Sequence, residues 1–162
     1  MIKNIRKGEF GIEGTLYVPV FNKEITVFFD EDVPLEYVEQ CTEYLINISD
    51  EILDKLCCSS IGYCESMRKF FDELKINIPQ NMKSKEILNY ISPNSISVEN
   101  PENSNIIAFE MELNCDWEPE HGMEWIIRDN KVLYVGLFNG ESEWDNEGYF
   151  KGLEWNYAEF DD

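Results

Sequence analysis

The sequence predicts an α+β protein: an antiparallel sheet from an N-terminal hairpin and a C-terminal three-strand meander, with two or three central helices packed on one face. Three observations predict this. Apolar and polar residues alternate over 8–30 and again over 96–138, as they do in strands with one buried and one wet face. Over 34–91 the apolar residues recur at spacings of three, four or seven, as they do along one side of a helix. The 162 residues contain no internal repeat, low-complexity tract or linker, so residues 1–162 are expected to form one domain.

The elements follow in order. In the hairpin of residues 8–30, Ile12, Gly14, Leu16 and Val18 alternate with Glu13, Thr15 and Tyr17; Phe21-Asn22-Lys23 supplies turn chemistry, and Ile25, Val27 and Phe29 resume the period. Asp32 is the expected cap of the next helix, with Pro34 in its first turn. In the helical block of residues 34–91, Leu35, Val38, Leu45, Ile48, Ile52 and Leu56 form the apolar stripe, and Ser49 is placed to cap a second helix. Ser59, Ser60 and Gly62 are the expected break, and Ser84 the cap of a short helix near 84–91. Pro93-Asn94 reads as a turn into a strand at Ile96-Ser97-Val98, which opens the meander region 96–138. Ile107, Phe109, Met111, Leu113 and Cys115 then alternate with Ala108, Glu110, Glu112, Asn114 and Asp116, and Asp129-Asn130 stands where a tight hairpin turn is needed. The acidic segment 139–162 carries Trp144, Tyr149, Phe150, Leu153, Trp155, Tyr157 and Phe160, and is expected to pack across the sheet or along an edge strand.

Charge is the strongest bulk signal. Thirteen Lys and Arg face 33 Asp and Glu, a formal net charge of −20. Such a field repels phosphate backbones and anionic membranes and attracts cationic surfaces, so the expected partner is a cationic protein, with no nucleic acid and no membrane. Residues 30–43 and 110–124 each hold six acids and no Lys or Arg. The N-terminal stretch MIKNIRKGEF has no apolar run of signal-peptide length, which sets the expected location as cytoplasmic. Five cysteines (Cys41, Cys57, Cys58, Cys64 and Cys115) are an odd set, read as reduced thiols and small core residues.

Only one constellation offers chemistry. His121 is the single histidine, in the stretch Cys115-Asp116-Trp117-Glu118-Pro119-Glu120-His121-Gly122. Asp116, Glu118, Glu120 and His121 are candidate ligands for a divalent ion, which makes a metal-dependent enzyme or metal-binding domain the alternative reading. Against it stands a plain turn in which His121 bonds locally and Gly122 supplies a special backbone angle. No H-x-x-x-H, C-x-x-C or phosphate-loop pattern occurs, and no cofactor is expected.

The same stretch, with Val132-Leu133-Tyr134-Val135-Gly136 after it, resembles a C-x-W-[DE]-x-E-H-G strand–turn motif of small bacterial domains of unknown function. Those domains are similar to the immunity proteins of polymorphic toxin systems. The resemblance implies a non-catalytic protein that neutralises a cationic toxin domain by covering its surface or active site. Glu110, Glu112, Asp116, Glu118 and Glu120 are the carboxylates expected to meet that partner, with Trp117 as the aromatic anchor.

Overall fold

The computed structural model describes residues 1–161. Its frame is a seven-stranded sheet in which spatial order follows chain order: β1 (Lys3–Gly8), β2 (Gly11–Val18), β3 (Lys23–Phe29), β4 (Ile91–Val98), β5 (Ala108–Cys115), β6 (Met123–Arg128) and β7 (Lys131–Leu137). Every neighbouring pair is antiparallel except β3 and β4, which run parallel. A parallel pair needs a long crossover, and the central helices supply it.

That crossover contains α1 (Leu35–Ile46), α2 (Asp50–Ser66), α3 (Phe71–Leu74) and 3-10 turns at Arg68–Phe70 and Ser84–Tyr90. The Ser49 hydroxyl accepts from the Ile52 amide at 3.2 Å and caps α2, whose first turn carries Asp50 and Glu51 where the helix dipole favours them. Helix α1 differs from expectation. Pro34, not Asp32, occupies its N-cap position, and no side chain caps it. Helix α2 runs unbroken through Ser59, Ser60 and Gly62. The Ser60 hydroxyl donates back to the Leu56 carbonyl at 2.7 Å, which removes its competition with the helix backbone. The expected helix near 84–91 is a 3-10 segment without a side-chain cap; Ser84 instead bonds to Asp54.

The helices meet the sheet through both apolar and polar contacts. Val38, Leu45 and Leu56 pack with Leu16, Val27, Ile96, Met111 and Trp125 in one buried cluster. Trp125 Nε1 donates to Ser60 Oγ at 3.0 Å, and the Tyr37 hydroxyl donates to the Ile106 carbonyl at 2.8 Å while accepting from the Ala108 amide at 3.1 Å. Gly14 makes room for the first residues of the chain, since a Cβ there would lie 2.7 Å from Ile2 Cγ2.

Two strands depart from the sequence expectation. β1 was not foreseen, because its residues Lys3, Asn4, Ile5, Arg6 and Lys7 are exposed and carry no alternating apolar face. β4 begins at Ile91 rather than Ile96; a register shift between Pro93 and Ser95 absorbs the proline, so no turn forms there. The β6–β7 connection is Asp129-Asn130, both with positive φ (54° and 60°), as a two-residue turn of the primed type requires.

The face expected to be wet is roofed. Phe150, in α4 (Glu147–Lys151), packs on Ile126, Leu133 and Tyr134, with Leu153 and Phe160 beside it. Further along, the Tyr157 amide donates to the Val135 carbonyl at 2.8 Å, and Asn156 bonds to both Val135 N and Leu133 O. The C-terminal segment therefore covers one face of the sheet and its β7 edge, while β1 forms the uncovered end.

Candidate functional site: carboxylates on the roofed face

Cross-strand register decides which acids meet. On the roofed face, Ser95, Glu112, Glu124 and Gly136 form one row across β4–β7, and Ser97, Glu110, Ile126 and Tyr134 the next. Residues 139–145 lie over these rows as a strap and contribute Glu141 and Glu143. Glu124 is 0% exposed and Glu143 1%.

The strap is tied down at several points. One guanidinium nitrogen of Arg128 donates to the carbonyls of Glu143 (2.8 Å) and Asp145 (2.7 Å). Glu143 Oε2 accepts from the Glu99 amide at 2.9 Å, Glu124 Oε1 from the Glu141 amide at 3.4 Å, and Ser142 Oγ donates to Glu99 at 2.8 Å. The Tyr149 hydroxyl donates to Glu141 at 2.9 Å.

Burial dominates the electrostatics. Desolvation, followed by the charge of Glu110, pushes Glu124 far above the usual carboxylate range. Glu110 is also raised by desolvation, with Glu112 and Glu99 adding to it, while its hydrogen bond with Glu124 opposes the rise. Two carboxyl groups share a hydrogen bond only if one of them keeps its proton. Burial disfavours charge on both, and Glu124 Oε2 has no hydrogen-bond partner that would stabilise it. Glu143 is pushed up to about 8 by burial, and its Oε1 is likewise unpartnered. Burial thus favours the protonated form of these carboxyls.

The sequence-predicted residues are not brought together. Glu110 and Glu112 lie on the roofed face, half-buried. Trp117, expected as a partner anchor, is 0% exposed and packs edge-on against Tyr63 with ring centroids 5.6 Å apart; it is a core residue, and that assignment is corrected. Glu118 turns inward: its Oε1 accepts from the Glu120 and His121 amides and faces His121 Nδ1, each at 3.3 Å. Asp116, Glu120 and His121 are exposed. Gly122 has φ +72°, and a Cβ there would lie 2.6 Å from the Leu113 carbonyl oxygen, so the turn demands glycine. Among the described residues, no three His, Cys, Asp or Glu side chains are grouped to hold a metal ion, Asp116, Glu118, Glu120 and His121 included.

Glu124, Glu141 and Glu143 are the acids that sequence reasoning missed. Glu124 stands in the apolar run Met123-Glu124-Trp125-Ile126-Ile127, and an acid flanked on both sides by core residues was the available signal. Of the thiols, Cys41, Cys57, Cys64 and Cys115 are buried, and burial pushes each up to about 11 or 12, while Cys58 is exposed.

The fold and the site together define an α+β protein with a seven-stranded, largely antiparallel sheet and a strapped glutamate cluster. Among the described residues no helix is long and apolar enough to cross a membrane. The chain belongs to the family described as a domain of unknown function (DUF6985), whose profile matches residues 1–142. No curated protein and no solved structure matches it.

Proposed function

We propose that this chain is a non-catalytic binding protein that captures a cationic protein, in the manner of an immunity protein covering a toxin domain. The observation that supports the reading is the imbalance of charge on the folded surface. Of 33 acids, eight lie within ion-pair distance of Lys, Arg or His121 among the described residues. The exposed acids outside these pairs are free to meet a basic protein surface, which gains a faster encounter from them. Glu124, Glu141 and Glu143 do not compete for this role, because they are buried.

The test is a titration of the purified chain with the product of the gene immediately upstream of its own. A complex is expected at low salt, weakening steeply as salt screens the charges. A neighbour without a toxin domain and without affinity for the chain at low salt overturns the reading.

A further inference from the structure

A groove of about 410 Å³ lies between α1 and the start of β1, lined by Met1, Ile2, Glu39, Thr42, Glu43 and Ile46. Its base is apolar: Ile2 belongs to the main core, and Ile46 packs against that core. Its rim is acidic, with Glu39 and Glu43 both exposed. Glu36 extends the rim by a turn, since positions 36, 39 and 43 share one side of a helix.

Among the described residues no side-chain cation pairs with this rim. No Lys, Arg or His occurs between residues 30 and 54, and none of the three glutamates lies in an ion pair among the described residues. Like charges one turn apart work against the helix that carries them. β1 has no neighbouring strand on its outer side, so the sheet does not close over the groove.

We infer that this groove is the docking site for a segment of another protein that presents Lys or Arg beside a bulky apolar side chain. The apolar residue covers Ile2 and Ile46, and the cations neutralise Glu36, Glu39 and Glu43. Charge complementarity selects this occupant: the rim repels an acidic peptide or a phosphate and attracts an ammonium or guanidinium group. The inference rests on the cationic-partner reading and gives it a location.

The experiment is fluorescence anisotropy of the whole chain at low salt with two labelled peptides. One alternates lysine with leucine; in its twin, serine replaces every leucine. The wild type is expected to bind the leucine peptide about ten-fold more tightly, because only leucine uses the apolar base. The double reversal E39K/E43K is expected to weaken that binding by about ten-fold or more, and the reversal E102K/E154K, of equal charge but on other elements, by about two-fold. Should E39K/E43K fold poorly by circular dichroism, E39Q/E43Q replaces it, with about three-fold weakening expected.

Equal weakening by the two reversals, or equal affinity for the two peptides, removes the groove as the site and leaves the general charge reading standing. No binding of either peptide removes both. A dimer of the wild type in sedimentation that E39K/E43K returns to monomer assigns the groove to a second copy and overturns the inference.

Discussion

Replacing Glu124 with glutamine should stabilise the protein, and by an amount that grows with pH. In the fold this carboxyl keeps its proton because burial and the nearby Glu110 charge raise it far above the ordinary value of 4.5. The unfolded chain releases that proton near 4.5. The stability associated with the raised group is therefore complete below that pH and is lost as pH climbs towards the folded value. The loss is roughly 1.4 kcal/mol per pH unit for a carboxyl protonated in the fold and ionised when unfolded, so about 2–3 kcal/mol between pH 6 and pH 8. Glutamine is nearly isosteric, cannot ionise, and keeps an oxygen to accept from the Glu141 amide as Glu124 Oε1 does. Urea unfolding of both proteins at half-unit steps from pH 5 to pH 9, at constant ionic strength, measures the difference. The wild-type curve should fall towards alkaline pH, and the E124Q curve should fall less steeply. Parallel curves would show that Glu124 is ionised in the fold, and the account of a proton held between β5 and β6 would be wrong.

Four further outcomes follow from the structure. Glu143→Gln should flatten the same curve, with its effect complete just above pH 8, because its folded value is about 8. Arg128→Ala removes the donor to two strap carbonyls; it should cost about 1–3 kcal/mol and raise hydrogen exchange in residues 139–145 before the rest of the sheet. Gly122→Ala should cost about 1–3 kcal/mol in chemical unfolding, because the site combines a left-handed backbone with a carbonyl 2.6 Å from the new Cβ. A thiol reagent added to native protein should modify Cys58 first, slowly because burial and the Asp54 charge raise its thiol, and leave the four buried thiols until denaturant is added.

The legibility of this chain in its sequence depended on whether one face of an element was unlike the other. β5 was readable because Phe109, Met111 and Leu113 alternate with Glu110 and Glu112, and α1 and α2 because their apolar residues keep a helical spacing. β1 has no such asymmetry: five consecutive exposed residues leave nothing periodic to detect. The parallel pairing of β3 with β4 was also hidden, since no local pattern says which strand a crossover returns to. The site suffered most from this. Glu110 and Glu112 read as surface acids because their strand alternates cleanly, and only the fold brings residues 139–145 and Phe150 over them. Trp117 was misplaced for the opposite reason. Its neighbours Asp116 and Glu118 are charged, yet Tyr63 of a distant helix closes a pocket around it.

The single parallel seam between β3 and β4 has a consequence for how the chain assembles. On either side of it the strands are joined by short connections, residues 3–29 on one flank and 91–137 on the other, so each flank gains its ladder from neighbours close along the chain. Zipping the seam alone requires some sixty intervening residues to be gathered first, and the loop entropy of that closure falls on one step. The β3–β4 pairing is therefore the longest-range strand contact in the sheet, and its closure carries a larger chain-entropy cost than any hairpin beside it.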